Sequence, residues 1–247
     1  MKDIKEFENR IICGDCLEIM GDLPDKSVDL CLTDPPYGIS ADKGTDGFGQ
    51  SPSTVRNYND NWDNARLSKA QMDVIFLKSH KAIIFGGNYF TDILPQNNHW
   101  IVWDKVGEMK VKNPFSHCEL LWTNVPLKTV KKYIVIQQGF ISEEKVRFHP
   151  TQKPVSLIEN ILKDYSKEGD CILDPFMGSG TTAIACKRLN RRYIGIEINP
   201  DYCKVAEQRL ANIPKMRFDS IDDASDAPHD KSDLQRKGGA SDNDAKR

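Results

Sequence analysis

Asp34-Pro35-Pro36-Tyr37 combines a carboxylate, two rigid prolines and an aromatic ring directly after the apolar run Val28–Leu32. A run of that length reads as a buried strand, so the tetrapeptide falls at one rim of a sheet. Proline fixes φ and donates no N–H, which leaves nearby carbonyls able to accept from a ligand. A carboxylate and a carbonyl together can hold an exocyclic NH2, and the tyrosine can stack on the ring that carries it. The pattern suits an amino-bearing base. Taken alone it also suits a strand followed by an ordinary X-Pro turn.

A second constellation is Asp174-Pro175-Phe176-Met177-Gly178-Ser179-Gly180-Thr181-Thr182-Ala183, placed between the apolar run Cys171–Leu173 and a helix-like stretch reaching Leu189. Strand, glycine turn and helix start in this order form a nucleotide-type cradle: glycines let backbone approach a ligand, and the helix end presents unpaired N–H groups. Tyr193-Ile194-Gly195-Ile196-Glu197 follows as a strand ending in an acid about twenty residues beyond the glycines, where a carboxylate can hold ribose hydroxyls. The glycine spacing by itself would serve a nicotinamide dinucleotide equally well.

The elements that must position these residues alternate along the chain. Strands are expected at Ile11–Cys13, Val28–Leu32, Ala82–Phe85, Trp100–Trp103, Cys118–Trp122, Cys171–Leu173 and Tyr193–Glu197. Helices are expected over Cys16–Met20, Leu67–Lys81, Tyr89–Leu94, Val155–Tyr165 behind Pro154, and from the Asn199-Pro200 cap to Leu210. This alternation implies an α/β fold with a mostly parallel sheet, helices on both faces, and ligands beyond the carboxyl ends of the strands. Asp15, Asp34, Asp174 and Glu197 all fall at such ends, so one rim would carry the chemistry. Trp100, Trp103 and Trp122 read as core or pocket walls. Ser40–Asn61, rich in Gly, Ser, Asp and Asn, reads as a loop able to close over a substrate, with Arg56 and Tyr58 as contacts. Residues 215–247 have almost no apolar content and read as a disordered polar tail.

Composition sets the bounds. A chain of 247 residues can form one sizeable core with a small insert. No apolar stretch is long enough to cross a membrane, and the charged start Met1–Glu6 lacks the apolar segment of a signal peptide. Seven scattered cysteines, several in apolar runs, suggest reduced thiols in a cytoplasm. Cys13-x-x-Cys16 has no second pair or nearby histidines, so no metal is expected. The formal net charge of −2 is not that of a strongly basic nucleic-acid binder. Distribution matters more: from Lys105 to Lys153 there are nine basic residues against four acids, enough to line a phosphate track. A solvated lysine-rich surface would look the same.

The two strand-end motifs together resemble those of DNA amino-methyltransferases that use S-adenosylmethionine, and their order resembles the beta class, a circular permutation of the common methyltransferase chain. Gly14-Asp15-Cys16-Leu17-Glu18 with Leu23–Asp29, and His149-Pro150-Thr151-Gln152-Lys153-Pro154, fit that class as well. The resemblance spans about residues 9–212, with no family pattern over 106–147. It implies a circularly permuted Rossmann-like domain over 1–214 with a target-recognition insert near 106–147. Asp34, Pro35, Pro36 and Tyr37 would be catalytic: Asp34 and the Pro35 carbonyl accept the amine's protons, and Tyr37 stacks on a flipped base. For the cofactor, Asp34 would serve as a binding residue as well, Phe176, Gly178, Ser179, Gly180 and Thr181 would border the methionine and sugar, and Asp174 would act on the ammonium side, directly or through water. Glu197 would hold the ribose, Ile198 would pack on the adenine, and Asp15 beside Cys16 would accept from the adenine amine. Lys153 and the His149–Thr151 turn would close the pocket. The partner would be double-stranded DNA, and relatives of this class are often homodimers. The implied setting is the cytoplasm, at the nucleoid, in a chain of bacterial or phage origin. Adenine-N6 is the expected target, because Asp at the first motif position goes with adenine enzymes and Ser with cytosine-N4 enzymes. Cytosine-N4 transfer, an RNA or protein amine methyltransferase, a nicotinamide oxidoreductase and a non-catalytic DNA-binding relic are the alternatives.

Overall fold

The structure, a computed structural model, describes residues 2–39, 66–110, 116–137, 148 and 152–213. The expected covering loop with Arg56 and Tyr58, the His149–Thr151 turn and the tail from 215 lie outside the described residues. Eight strands form one sheet: β1 (Arg10–Cys13), β2 (Val28–Thr33), β3 (Ser79–Phe85), β4 (Trp100–Asp104), β5 (Cys118–Thr123), β6 (Lys131–Ile134), β7 (Cys171–Asp174) and β8 (Arg192–Glu197). Among the described residues five α-helices accompany them: α1 (Cys16–Asp22), α2 (Lys69–Lys78), α3 (Val155–Tyr165), α4 (Thr181–Arg188) and α5 (Pro200–Ala211).

The strand order is β1-β8-β7-β2-β3-β5-β4-β6. All neighbours pair in parallel except β5, which runs antiparallel to both β3 and β4. From β7 the chain continues outward to β8, and from β2 it continues the other way to β3. The order therefore reverses between β7 and β2, and a cleft opens there at the carboxyl ends. Those two ends carry Asp174 and Asp34.

The central strands are buried on both faces and split their side chains by a period of two. Ile83 and Phe85 of β3 and Ile172 of β7 pack with α3 and α4, whereas Ala82, Ile84, Cys171 and Leu173 pack with Met20 of α1 and Met72 and Ile75 of α2. This is why these strands read as continuous apolar runs.

Most expected elements are present, with three differences. The strand expected at Ala82 starts at Ser79, because the chain leaves the helix there in extended conformation and the Ser79 hydroxyl donates to the Ile75 carbonyl at 2.7 Å. The helix expected over Tyr89–Leu94 is a single 3-10 turn, Gly87–Tyr89. β6 was not anticipated; three of its four residues are exposed, so it lacks an apolar signature. The stretch expected as an insert, 106–147, thus contributes β5 and β6 to the main sheet. Among the described residues, no helix is long and apolar enough to cross a membrane.

Candidate active site

Asp34 follows β2 directly, and four segments converge on it. The Tyr37 hydroxyl donates to Asp34 Oδ1 at 2.5 Å. The Lys153 ammonium, from the segment before α3, donates to Asp34 Oδ2. Lys153 Nζ also lies 3.4 Å from Glu119 Oε2 and 5.2 Å from the Phe85 ring centre. Glu119 in turn pairs with Lys105. The Asp34 side chain is 24% exposed and that of Lys153 9%, so the carboxylate faces the opening and the ammonium lies beneath it. Burial pushes the Asp34 carboxyl above its ordinary range, against the pull of Lys153. Burial would lower the Lys153 ammonium, but Asp34 and Glu119 outweigh it and hold it above its usual value. The lysine thus stays charged between two carboxylates.

The turn after Asp34 is shaped by its prolines. Leu67 N–H donates to the Pro36 carbonyl at 3.2 Å, whereas no donor among the described residues takes the Pro35 carbonyl. The Tyr37 ring stacks on Tyr89 at 4.8 Å between centroids and meets Phe90 edge-on at 5.9 Å. Gly86 makes this packing feasible: its φ is +62°, and a Cβ there would sit 2.3 Å from the Tyr37 ring. Tyr37, expected as a stacking platform for a base, therefore already has Tyr89 against one face. Tyr89 is itself 41% exposed at the rim.

The neighbouring strand end is built differently. Asp174 is buried and accepts from the Thr33 hydroxyl at 2.7 Å, the Thr182 hydroxyl at 2.6 Å and the Phe176 N–H at 3.2 Å. Burial raises its carboxyl to about 6, with the two threonine hydroxyls opposing that rise. Asp174 thus sits behind the turn, tying β7 to β2 and α4. Gly178 has φ +54°, and no atom lies within 4 Å of where its Cβ would be, so the turn is open on that side. Gly178 N–H donates to Glu197 Oε2 at 2.7 Å, and Asn199 N–H donates to Oε1 at 2.8 Å. Burial raises the Glu197 carboxyl while these N–H groups lower it. Gly180, φ +85°, lets α5 approach: a Cβ would be 2.7 Å from the Ala206 side chain.

The other expected residues divide. Phe176 is partly buried beside the turn. Ser179 and Thr181 are buried, with Arg209 donating to the Ser179 carbonyl at 2.6 Å. Ile198 is 70% exposed at the rim. Asp15 caps α1, its Oδ1 accepting from Leu17 N–H at 2.8 Å and Glu18 N–H at 3.2 Å. Cys16 is buried next to it, its sulfur accepting from Gln71.

Four residues were missed by sequence reasoning. Gln152 accepts from the Ser179 hydroxyl at 3.0 Å, so the dipeptide Gln152-Lys153 holds the glycine turn with one side chain and Asp34 with the next. Glu119, Lys105 and Tyr89 complete the catalytic side. No spacing signal marks Glu119; the reversal of β5 brings it to this rim.

A parallel-centred sheet with a carboxylate and a glycine turn at adjoining strand ends is the methyltransferase fold. The crystal structure titled M1.HpyAVI-SAM complex superposes with a TM-score of 0.53 at 26% identity, covering 83% of this chain and 99% of that one. PvuII DNA methyltransferase, titled cytosine-N4-specific, shares the fold at a TM-score of 0.56 and 16% identity, covering 82% of this chain and 87% of that one. The profile of the N6/N4 methyltransferase family, described as DNA methylase, matches residues 108–208. Type II methyltransferase M.HpaI of Haemophilus parainfluenzae is 31% identical over 262 aligned positions, 92% of this chain and 82% of the relative. The chain belongs to this family of DNA amino-methyltransferases, in the permuted order of the beta class.

Proposed function

We propose that this protein is a site-specific DNA methyltransferase that transfers a methyl group from S-adenosylmethionine to the N6 amine of adenine. The observation that carries the reading is the Asp34 carboxylate beside an unclaimed Pro35 carbonyl, one strand away from the glycine turn. The residues present fit the cofactor. Gly178 leaves open the space that a side chain would fill, Glu197 presents a carboxylate at the adjoining strand end, and Phe176 and Ile198 flank them. The M1.HpyAVI relative, solved with SAM, supports the same assignment.

When bound, the cofactor supplies a sulfonium-activated methyl group, so positioning accounts for most of the catalysis. The exocyclic amine is a poor nucleophile because its lone pair is delocalised into the ring. Asp34 and the Pro35 carbonyl accept its two protons and favour a pyramidal nitrogen. Tyr37, tethered to Asp34 through its hydroxyl, presents a ring to the base. In duplex DNA the base must first leave the stack, at a cost of a few kcal/mol.

Asp34 at the first motif position favours adenine over cytosine. The fold is common to both chemistries, since the PvuII enzyme shares it. Digestion of methylated plasmid to nucleosides, followed by mass spectrometry, tests the choice. N6-methyladenine is expected, and N4-methylcytosine as the main product would overturn it. Residues 106–147 are proposed to read the DNA. Within that stretch Lys131 pairs with Asp164 and Lys132 with Asp104, both on the exposed outer strand β6. Neutralising Lys128, Lys131 and Lys132 together should flatten the salt dependence of DNA binding by no more than about three units of slope. An unchanged slope would place the phosphate contacts elsewhere.

A further inference from the structure

Asp34 has both oxygens engaged, Oδ1 by the Tyr37 hydroxyl and Oδ2 by Lys153. A substrate amine needs one of them. Lys153 is the partner with somewhere to go. Glu119 Oε2 is buried, takes no hydrogen bond among the described residues, and lies 3.4 Å from Lys153 Nζ. Its other oxygen is held by Lys105. A buried carboxylate oxygen without a donor is costly, and a shift of under about 1 Å by the ammonium would satisfy it.

We propose that Glu119 is a positioning residue for methyl transfer: the Lys153 ammonium passes from Asp34 Oδ2 to Glu119 Oε2 as the substrate amine arrives, and so frees the catalytic carboxylate. The proposal rests on Asp34 being the acceptor of the amine, and it holds for adenine and cytosine alike. The move keeps the charges of Asp34, Lys153, Glu119 and Lys105 together, so no ion is left alone in a low-dielectric site. Before the move the ammonium lies 5.2 Å from the Phe85 ring centre. The titratable groups acting on Asp34 are Lys153 from the segment before α3, Glu119 from β5 and Tyr37 from its own turn, with Asp174 on β7 coupled to it electrostatically. Lys105, after β4, acts through Glu119.

Glu119→Gln keeps the shape and removes the charge. Its single-turnover methylation rate should fall at least about tenfold, with S-adenosylmethionine affinity unchanged, and Glu119→Asp should recover part of the rate. Glu119 raises the Asp34 carboxyl, so the acid limb of the pH–rate profile should move to lower pH in Glu119→Gln. Lys105→Gln, which leaves Glu119 less neutralised, should move it to higher pH. Carboxylate 13C titration of Asp34 in protein free of cofactor and DNA should shift in the same two directions, which reads the charge coupling of Glu119 to Asp34 without activity. An unshifted Asp34, or a shift of the same sign in both variants, overturns the proposal, as does a wild-type rate in Glu119→Gln. Wild-type protein that leaves DNA unmethylated, or Asp34→Ala that retains the rate, overturns instead the reading beneath it.

Discussion

The two halves of the rim are one strand apart, yet they are held by different forces. Around Asp34 the Tyr37 hydroxyl is the local partner, and the charged groups come from distant parts of the chain: Lys153, Glu119 and Lys105 form a row of ion pairs across three segments. Around Asp174 and Glu197 the partners are neutral: two threonine hydroxyls and three backbone N–H groups. Buried ion pairs are sensitive to the loss of any member, because the remaining charge is stranded. Hydroxyl and amide donors instead fix a carboxylate without a counter-charge and offset only part of the pKa rise that burial causes. The half around Asp34 is therefore set to respond to an arriving polar group, and the half around Asp174 and Glu197 to keep its shape.

This contrast is most open to attack at Asp34. Asp34→Ala should abolish methylation, losing about 3 kcal/mol or more of transition-state stabilisation, while S-adenosylmethionine affinity stays near wild type. Single-turnover rates and calorimetry separate the two, and a parallel loss of cofactor affinity would show that the halves are not independent.

The next effect concerns stability rather than rate. The folded Asp174 carboxyl titrates at about 6, above an unfolded aspartate. Protons therefore bind the folded state more strongly, so Asp174's contribution is full at low pH and is lost as pH rises through about 6. Asp174→Asn does not titrate. Its stability relative to wild type should improve by about 2 kcal/mol between about pH 4 and pH 6.5, then level off. Urea midpoints across that range check it; a flat difference would mean that burial does not raise the Asp174 carboxyl.

Gly178→Ala gives the smallest effect on the fold. Its positive φ costs roughly 1–2 kcal/mol, and the new methyl meets no atom of the described residues within 4 Å. It should lower the melting temperature by only a few degrees and weaken cofactor binding about tenfold because the space it fills is the one proposed for the cofactor. Unchanged affinity would move the cofactor away from the glycine turn.

Local sequence carried most of the architecture. β2, β7 and β8 are short apolar runs ended by acids, and their assignment needed no partner, since burial on both faces demands such composition. Val155–Tyr165 was legible from Pro154 and its apolar spacing, and α5 from its Asn199-Pro200 cap. β6 was illegible because an outer strand with one buried residue has no burial pattern to read. The motif residues were found because their chemistry is written in consecutive positions. Asp15 was found as an acid at a strand end, but its cap on α1 belongs to helix geometry that follows it.

The sequence by itself determined the two strand-end motifs, their permuted order and the α/β alternation, because each depends on neighbours within a few residues. Only the tertiary structure decided which side chains meet Asp34. Glu119 reaches the rim because β5 runs against its neighbours, and Lys153 joins it from 119 residues along the chain. Such pairings depend on strand direction and order across the whole sheet, and no local pattern encodes them.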